Sequence, residues 1–278
     1  MAQKLWDDQV AARVERYERL EFDFPERTLA GKVILAPGGA GGLGAATVAL
    51  LVREGARVVV GYRENRARAE RLATVLNERG AGSVVCVAGD LRTAEARERL
   101  LEAAEKTAGE LYGLVSFVGD PARVDFSRLD ETAMRDSLEN NYISPFLLAK
   151  SFGERLLSLK VAGSVVFLAT MQAVAPFEGS VNYAAPKAAL LHAARILARQ
   201  WGSLRVNVVA PGVTLSGMAL GSIQAGKYDH YVRDNIIGRF GYPEDAARVI
   251  RLLLEPDNYL TGQVITVDGG LTLRRGLR

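Results

Sequence analysis

The chain has 278 residues, 49% of them apolar and 24% charged, with a formal net charge of +3. That is the composition of a globular protein with a full core, and so small a charge gives no argument for a nucleic-acid partner. No run of about 18 apolar residues offers a membrane span, and no apolar signal core stands at the N-terminus. The single cysteine, Cys86, leaves no intramolecular disulfide, so the expected compartment is the reducing cytoplasm. With only two histidines beside it, a metal site is not expected.

Residues 1–30 are expected to form a helical extension, since Trp6, Val10, Val14, Tyr17 and Leu20 recur at helical spacing behind Asp7, a candidate N-cap. From about residue 32 short β-branched runs alternate with longer helical patterns. The strands are expected at Lys32–Ala36, Arg57–Gly61, Ser83–Ala88, Gly113–Val118, Ser164–Ala169, Val206–Ala210 and Val264–Val267. Helices are expected near 43–54, 65–79, 93–107, 131–158, 181–201 and 243–254. The strand runs do not alternate polar with apolar, as expected of a parallel sheet covered on both faces. The alternation predicts one doubly wound α/β domain over 31–278 with a seven-stranded parallel sheet. Residues 214–238, with Met218, Leu220, Ile223, Tyr228 and Tyr231 among glycines, break the rhythm and suit a lid over a cleft.

Between the first strand and the first helix stands Pro37-Gly-Gly-Ala-Gly-Gly-Leu-Gly44. Glycines there allow a tight turn and close approach of a ligand, and the helix behind offers unpaired N–H groups to a pyrophosphate. A strand, glycine loop and helix in this order predict a dinucleotide site, in a Rossmann-type domain whose glycine spacing departs from the usual fingerprint by one residue.

Tyr183 and Lys187 lie one helical turn apart on one face of the expected 181–201 helix. A cation about 4 Å from a phenol, at an effective dielectric of about 20, stabilises the phenolate by roughly 4 kcal/mol. Such a pair is expected to bring the tyrosine toward neutrality, where it becomes a usable acid or base.

With Gly-x-x-x-Gly-x-Gly at 38–44 and Tyr-x-x-x-Lys at 183–187, the chain resembles the short-chain dehydrogenase/reductase family over roughly residues 30–273. Asp90, Asn141 in Asn-Tyr-Ile-Ser-Pro-Phe, Pro211-Gly212, Thr261-Gly262 and Val267-Asp-Gly-Gly270 match further family landmarks in order. Thr170 stands where the family usually has a catalytic serine. The resemblance implies Tyr183, Lys187, Thr170 and Asn141 as catalytic residues, with Asn141 supporting a proton-supplying water chain. It implies cofactor contacts from Gly38, Gly42, Leu43 and Gly44 in the loop, and from Arg63, Asp90, Leu91 and Gly119 beyond it. Tyr183, Lys187, Pro211, Gly212 and Val213 complete that set. The segment Ser116-Phe-Val-Gly119 keeps only the last residue of the family's usual Asn-Asn-Ala-Gly, and Pro37 replaces a hydroxyl residue.

At the end of strand two, Gly61 and Tyr62 stand where an acid would mark NAD, and Arg63 follows, so NADP is preferred and NAD stays open, with Glu64 the contrary sign. The expectation is an oxidoreductase moving a hydride between NADP(H) and a carbonyl or secondary alcohol. Met218, Leu220 and Ile223 suggest a partly apolar ketone, such as a 3-oxoacyl chain or a ring. The alternatives are an NAD-dependent alcohol dehydrogenase of the same family and a non-catalytic dinucleotide-sensing protein. The resemblance also implies a homodimer or homotetramer.

Overall fold

Runs of Val, Ile and Leu too short for helices and covered on both sides make the sheet on which everything else is mounted. The computed structural model describes residues 27–234 and 236–274, together with Glu15, Arg16 and Arg19. The expected N-terminal helix bearing Trp6, Val10, Val14, Tyr17 and Leu20 lies outside the described residues.

Seven strands, β1 (Lys32–Pro37), β2 (Arg57–Tyr62), β3 (Ser83–Ala88), β4 (Glu110–Ser116), β5 (Gly163–Leu168), β6 (Leu204–Pro211) and β7 (Val264–Val267), pair in the order β3-β2-β1-β4-β5-β6-β7. Every pairing is parallel. The chain runs outward from β1 to β3 and returns to place β4 on the other side of β1. The carboxyl ends of β1 and β4 therefore part into a crevice, which is where such sheets bind ligands.

The helices are α1 (Gly42–Arg53), α2 (Arg66–Arg79), α3 (Ala94–Lys106), α4 (Glu131–Leu138), α5 (Ser144–Leu159), α6 (Met171–Val174), α7 (Val181–Trp201), α8 (Leu220–Gln224), α9 (Asp229–Asp234), α10 (Pro243–Leu254) and α11 (Leu271–Arg274). Alternate strand residues feed two cores. Val33, Leu35, Val165 and Phe167 pack with Leu148 and Phe152 of α5 and Leu190 and Leu197 of α7. Ile34, Ala36, Val166 and Leu168 pack with Val48 and Leu51 of α1 and Ile250 and Leu253 of α10. Burial on both faces holds for the inner strands. At the edge strand β3, Val85 is 43% exposed, because no element among the described residues covers that side.

One expected helix divides. The 131–158 pattern resolves into α4, a π turn at Glu139–Ile143 and α5, with the Ser144 N–H donating to the Glu139 carbonyl. Pro145 in the first turn of α5 has no N–H for the carbonyl of Asn141 four residues back, so the α-helical ladder cannot run through this point. The sequence Asn-Tyr-Ile-Ser-Pro thus places Asn141 in a widened turn.

Helices α5 and α7 meet closely at Gly153, where an added Cβ would lie 2.6 Å from the indole of Trp201. Alanine in a helix interior ordinarily gains about 1 kcal/mol over glycine. Here we expect the opposite sign. Gly153→Ala should lose about 1–3 kcal/mol through overpacking, read as a lower midpoint in chemical denaturation; a stabilised variant would contradict this packing.

Candidate active site

Helix α7 delivers Lys187 to the carboxyl ends of β4 and β5. The residue is 2% exposed, and a charge so buried needs partners. Its Nζ donates to the carbonyls of Val118 and Leu168, both at 3.0 Å. Burial lowers its pKa to about 8, while the two carbonyls favour the charged form against it. An ammonium has three donors, so one remains for a ligand. A Cβ on Gly119 would stand 3.0 Å from that Nζ and 2.8 Å from Asn141 Oδ1, which explains why glycine stands there.

Pro186 lies inside α7 between the tyrosine and the lysine. It has no N–H, so the carbonyl of Asn182 four residues back loses its helical donor. That carbonyl accepts from the Ser137 hydroxyl of α4 instead. Ser137 Oγ in turn accepts from Asn141 Nδ2 at 3.2 Å, and Asn141 Oδ1 accepts from the Asp120 N–H at 3.0 Å. The Asn182 amide closes the ring by donating to the Ala122 carbonyl at 3.2 Å. Both ends of the Asn141 side chain are thus committed to protein, and the residue lies behind the cavity wall, which Asn140 reaches instead.

Thr170, two residues beyond β5, caps the short helix α6, its Oγ1 accepting from the Gln172 N–H at 3.3 Å. The hydroxyl hydrogen stays available to an oxygen in the cavity that Thr170, Tyr183 and Lys187 all line. Tyr183 is not drawn toward neutrality. Desolvation pushes its phenol up to about 12, and the charge of Asp120 adds to the rise. The expected depression by Lys187 does not appear, because burial lowers Lys187 itself to about 8 and the ammonium discharges before a phenol near 12 titrates.

The cavity, about 760 Å³, continues from these residues to the glycine loop. Gly38 has φ +76°, and a Cβ there would crowd the Phe117 carbonyl at 3.1 Å. Gly44 packs on Gly39, whose Cα would lie 2.6 Å from an added Cβ. Helix α1 has no side-chain cap, which leaves the N–H groups of Gly42, Leu43 and Gly44 without intrahelical partners beside the cavity. Such a cradle fits the phosphates of a dinucleotide.

At the far end Arg63, Arg68 and Arg92 line the wall with Glu64, Asp90 and Leu91. Arg63 Nε meets Glu64 Oε1 at 2.9 Å, and Arg92 Nε meets Asp90 Oδ2 at 2.8 Å, a bond that holds the Asp90 carboxyl below its usual range. Gly119, Pro211, Gly212 and Val213 also lie on the wall, so of the expected catalytic and cofactor residues only Asn141 is set back from it.

The 214–238 segment crosses the cavity with Met218, Tyr228 and Tyr231, while Leu220, Ile223 and His230 do not line it. Gly217 lies over the glycine loop, its backbone N 2.8 Å from a Cβ built on Gly42. Arg123 ties the segment down by donating to the Met218 carbonyl at 2.7 Å. Asp120, Arg123 and Glu178 on the wall had no local signal in the sequence, because each reaches the site from a loop fixed by distant contacts. Among the described residues no cluster of side chains could hold a metal ion, and no helix is long and apolar enough to cross a membrane.

The family profile described as enoyl-(acyl carrier protein) reductase matches residues 38–272. A tropinone reductase homolog of Arabidopsis thaliana is 32% identical over 254 residues, covering 88% of this chain and 94% of its own length. A 7alpha-hydroxysteroid dehydrogenase of Bacteroides fragilis is 30% identical over 260 residues, covering 87% and 95%. The structure of a short-chain type dehydrogenase/reductase from Mycobacterium ulcerans superposes with a TM-score of 0.83 at 26% identity, covering 89% and 92%. With the glycine cradle, the Tyr-x-x-x-Lys turn and a hydroxyl at 170 on one cavity, the chain belongs to the short-chain dehydrogenase/reductase family of oxidoreductases.

Proposed function

We propose that this protein is an NADP(H)-dependent oxidoreductase acting on a carbonyl or secondary alcohol that is partly apolar. The observation that carries the reading is continuity: one cavity holds the phosphate cradle at one end and Thr170, Tyr183 and Lys187 at the other. When bound, the nicotinamide supplies or accepts the hydride. Thr170 holds the substrate oxygen by its hydroxyl. Tyr183, protonated across the neutral range, gives its Oη proton to that oxygen in reduction and takes one from it in oxidation. The third donor of Lys187 holds the cofactor ribose, and Asn141 acts by fixing the loop at Asp120. Residues 214–238 serve as the lid. Met171, Met218 and Tyr231 on the wall support an apolar portion of the substrate, a smaller apolar surface than Leu220 and Ile223 would have added.

Three arginines against two carboxylates at the adenosine end favour a 2′-phosphate. The Arg63–Glu64 pair is the observation on the side of NAD, since a free carboxylate there would accept from ribose hydroxyls. Met134, Leu138, Ile143 and Ile196, exposed on α4, the π turn and α7, support a homodimer or homotetramer. The single cysteine supports a cytoplasmic setting.

Two experiments test the reading. Fluorescence titration should find NADPH bound more tightly than NADH, and Arg63→Ala should weaken NADPH by roughly tenfold or more while leaving NADH unchanged. Equal loss for both cofactors would overturn the phosphate assignment. A panel of ketones and 3-oxoacyl thioesters should include reduced substrates, with Tyr183→Phe slower by about 10²–10⁴ yet binding cofactor normally. Turnover undiminished in that variant, or absent from a cofactor-binding wild type across the panel, would point to a dinucleotide sensor.

A further inference from the structure

Ser137 has one hydrogen to give, and its neighbours decide where it goes. The Asn182 carbonyl in α7 can only accept, and Pro186 four residues on has no N–H for it. The Ser137 hydroxyl therefore donates to that carbonyl. Its oxygen is left to accept, which it does from Asn141 Nδ2 at 3.2 Å. That turns Asn141 Oδ1 toward the loop after β4, where the Asp120 N–H donates to it at 3.0 Å. The Asn182 amide donates to the Ala122 carbonyl of that loop at 3.2 Å and completes the circuit. Ser137 and Asn141 are buried, so bulk water does not compete for these bonds.

Both ends of the circuit bear on the same two side chains. Asn182 immediately precedes Tyr183, and its carbonyl belongs to the turn of α7 that runs through Tyr183 to Lys187. At the other end Val118, whose carbonyl accepts from Lys187 Nζ at 3.0 Å, lies two residues before Asp120. Gly119 stands between them, and a Cβ there would be 2.8 Å from Asn141 Oδ1 and 3.0 Å from Lys187 Nζ, so the amide and the ammonium close on one residue. Ser137 itself is not on the cavity wall. What it contributes to the site passes through these contacts.

We infer that Ser137 is a positioning residue for the Tyr183–Lys187 pair: its hydroxyl takes up the carbonyl freed by Pro186 and, through Asn141, ties that turn of α7 to the loop that holds the ammonium. This rests on the oxidoreductase reading above and adds to it a residue behind the wall. The serine at 137 and the proline at 186 are then matched. The proline without the hydroxyl leaves a buried carbonyl unpaired, and the hydroxyl without the proline adds a second donor to a carbonyl already served. Reacting groups held about 1 Å out of place lose on the order of 10²-fold in rate. A loosened turn is therefore read in turnover before cofactor affinity, which the phosphate cradle at the far end of the cavity supplies.

Ser137→Ala should lower kcat for carbonyl reduction by about 10–10²-fold. NADPH should still bind it at full stoichiometry with Kd within about threefold of wild type, which separates a displaced pair from a protein that has failed to fold. Ser137→Cys, which fills the same space with a weaker donor, should fall between serine and alanine. The deciding comparison uses Pro186→Ala, which supplies the Asn182 carbonyl with a helical N–H. In that background Ser137→Ala should cost about threefold or less in kcat. Without substrate, hydrogen exchange at the Asp120 amide should quicken by about tenfold in Ser137→Ala while the amides of β4 keep their protection, because Asn141 loses the partner that aims its oxygen. An undiminished kcat, or the same loss in both backgrounds, would overturn the inference. Faster exchange at Asp120 in a protein whose wild type reduces no carbonyl would leave the tie standing and sink the oxidoreductase reading instead.

Discussion

The arrangement depends on one buried ammonium. Lys187 lies where β4 and β5 end, and its two 3.0 Å bonds to Val118 and Leu168 tie those strand ends to α7. A charge left unpartnered at 2% exposure would cost several kcal/mol, so the strand ends and the helix are fixed relative to one another. From this follow the glycine at 119, the depth of Tyr183 one turn earlier, and the reach of Thr170 from the end of β5. Burial raises the phenol, and the charge of Asp120 adds to the rise. Sequence spacing brought the two side chains to one face, and the carbonyls fix where the ammonium lies.

The second constraint is a hydrogen bond that cannot form. A proline in mid-helix is usually a defect costing about 3 kcal/mol. Pro186 offsets part of that, because the carbonyl it releases at Asn182 receives the Ser137 hydroxyl and so joins α7 to α4. Pro145 does the same kind of work in the neighbouring helix, opening the π turn in which Asn141 sits. Two missing donors, in two helices, converge on the loop that carries Asp120.

Much of this was legible in the residues. The strand runs at Lys32–Pro37 and Ser83–Ala88 and the helix at Val181–Trp201 stand within a residue of their expected bounds, because buried parallel strands and a long amphipathic helix write strong local patterns. The glycine loop and the Tyr183–Lys187 turn are likewise local. Other features are written in no segment. Asn-Tyr-Ile-Ser-Pro marks a helix interruption only to a reader who counts from Pro145 back to Asn141. The link from Pro186 to Asp120 spans three elements, and nothing in Gly119-Asp-Pro-Ala says that the acid shares a cavity with a tyrosine 63 positions later. Leu220 and Ile223 are expected over the cleft on apolarity alone, but a run so short fixes no face, and they do not line the wall.

The same division between firm and loose contacts governs the segment over the cavity. Its ends are fastened by backbone: Gly241 N–H to Val213 at 2.9 Å and Leu215 N–H to Gly241 at 2.8 Å on one side, Ile237 N–H to Gly269 at 2.9 Å on the other. Between them the Arg123 bond to the Met218 carbonyl, the close approach of Gly217 to Gly42 and the edge-on packing of Tyr231 against Phe177 join the segment to the rest of the site. An exposed arginine bond of that kind contributes about 1 kcal/mol or less, whereas pulling either fastened end away disrupts the sheet margin. A pyrophosphate on the N–H groups of α1 and the turn at Gly217 would occupy adjoining space, so the hold on this segment bears directly on the phosphate cradle.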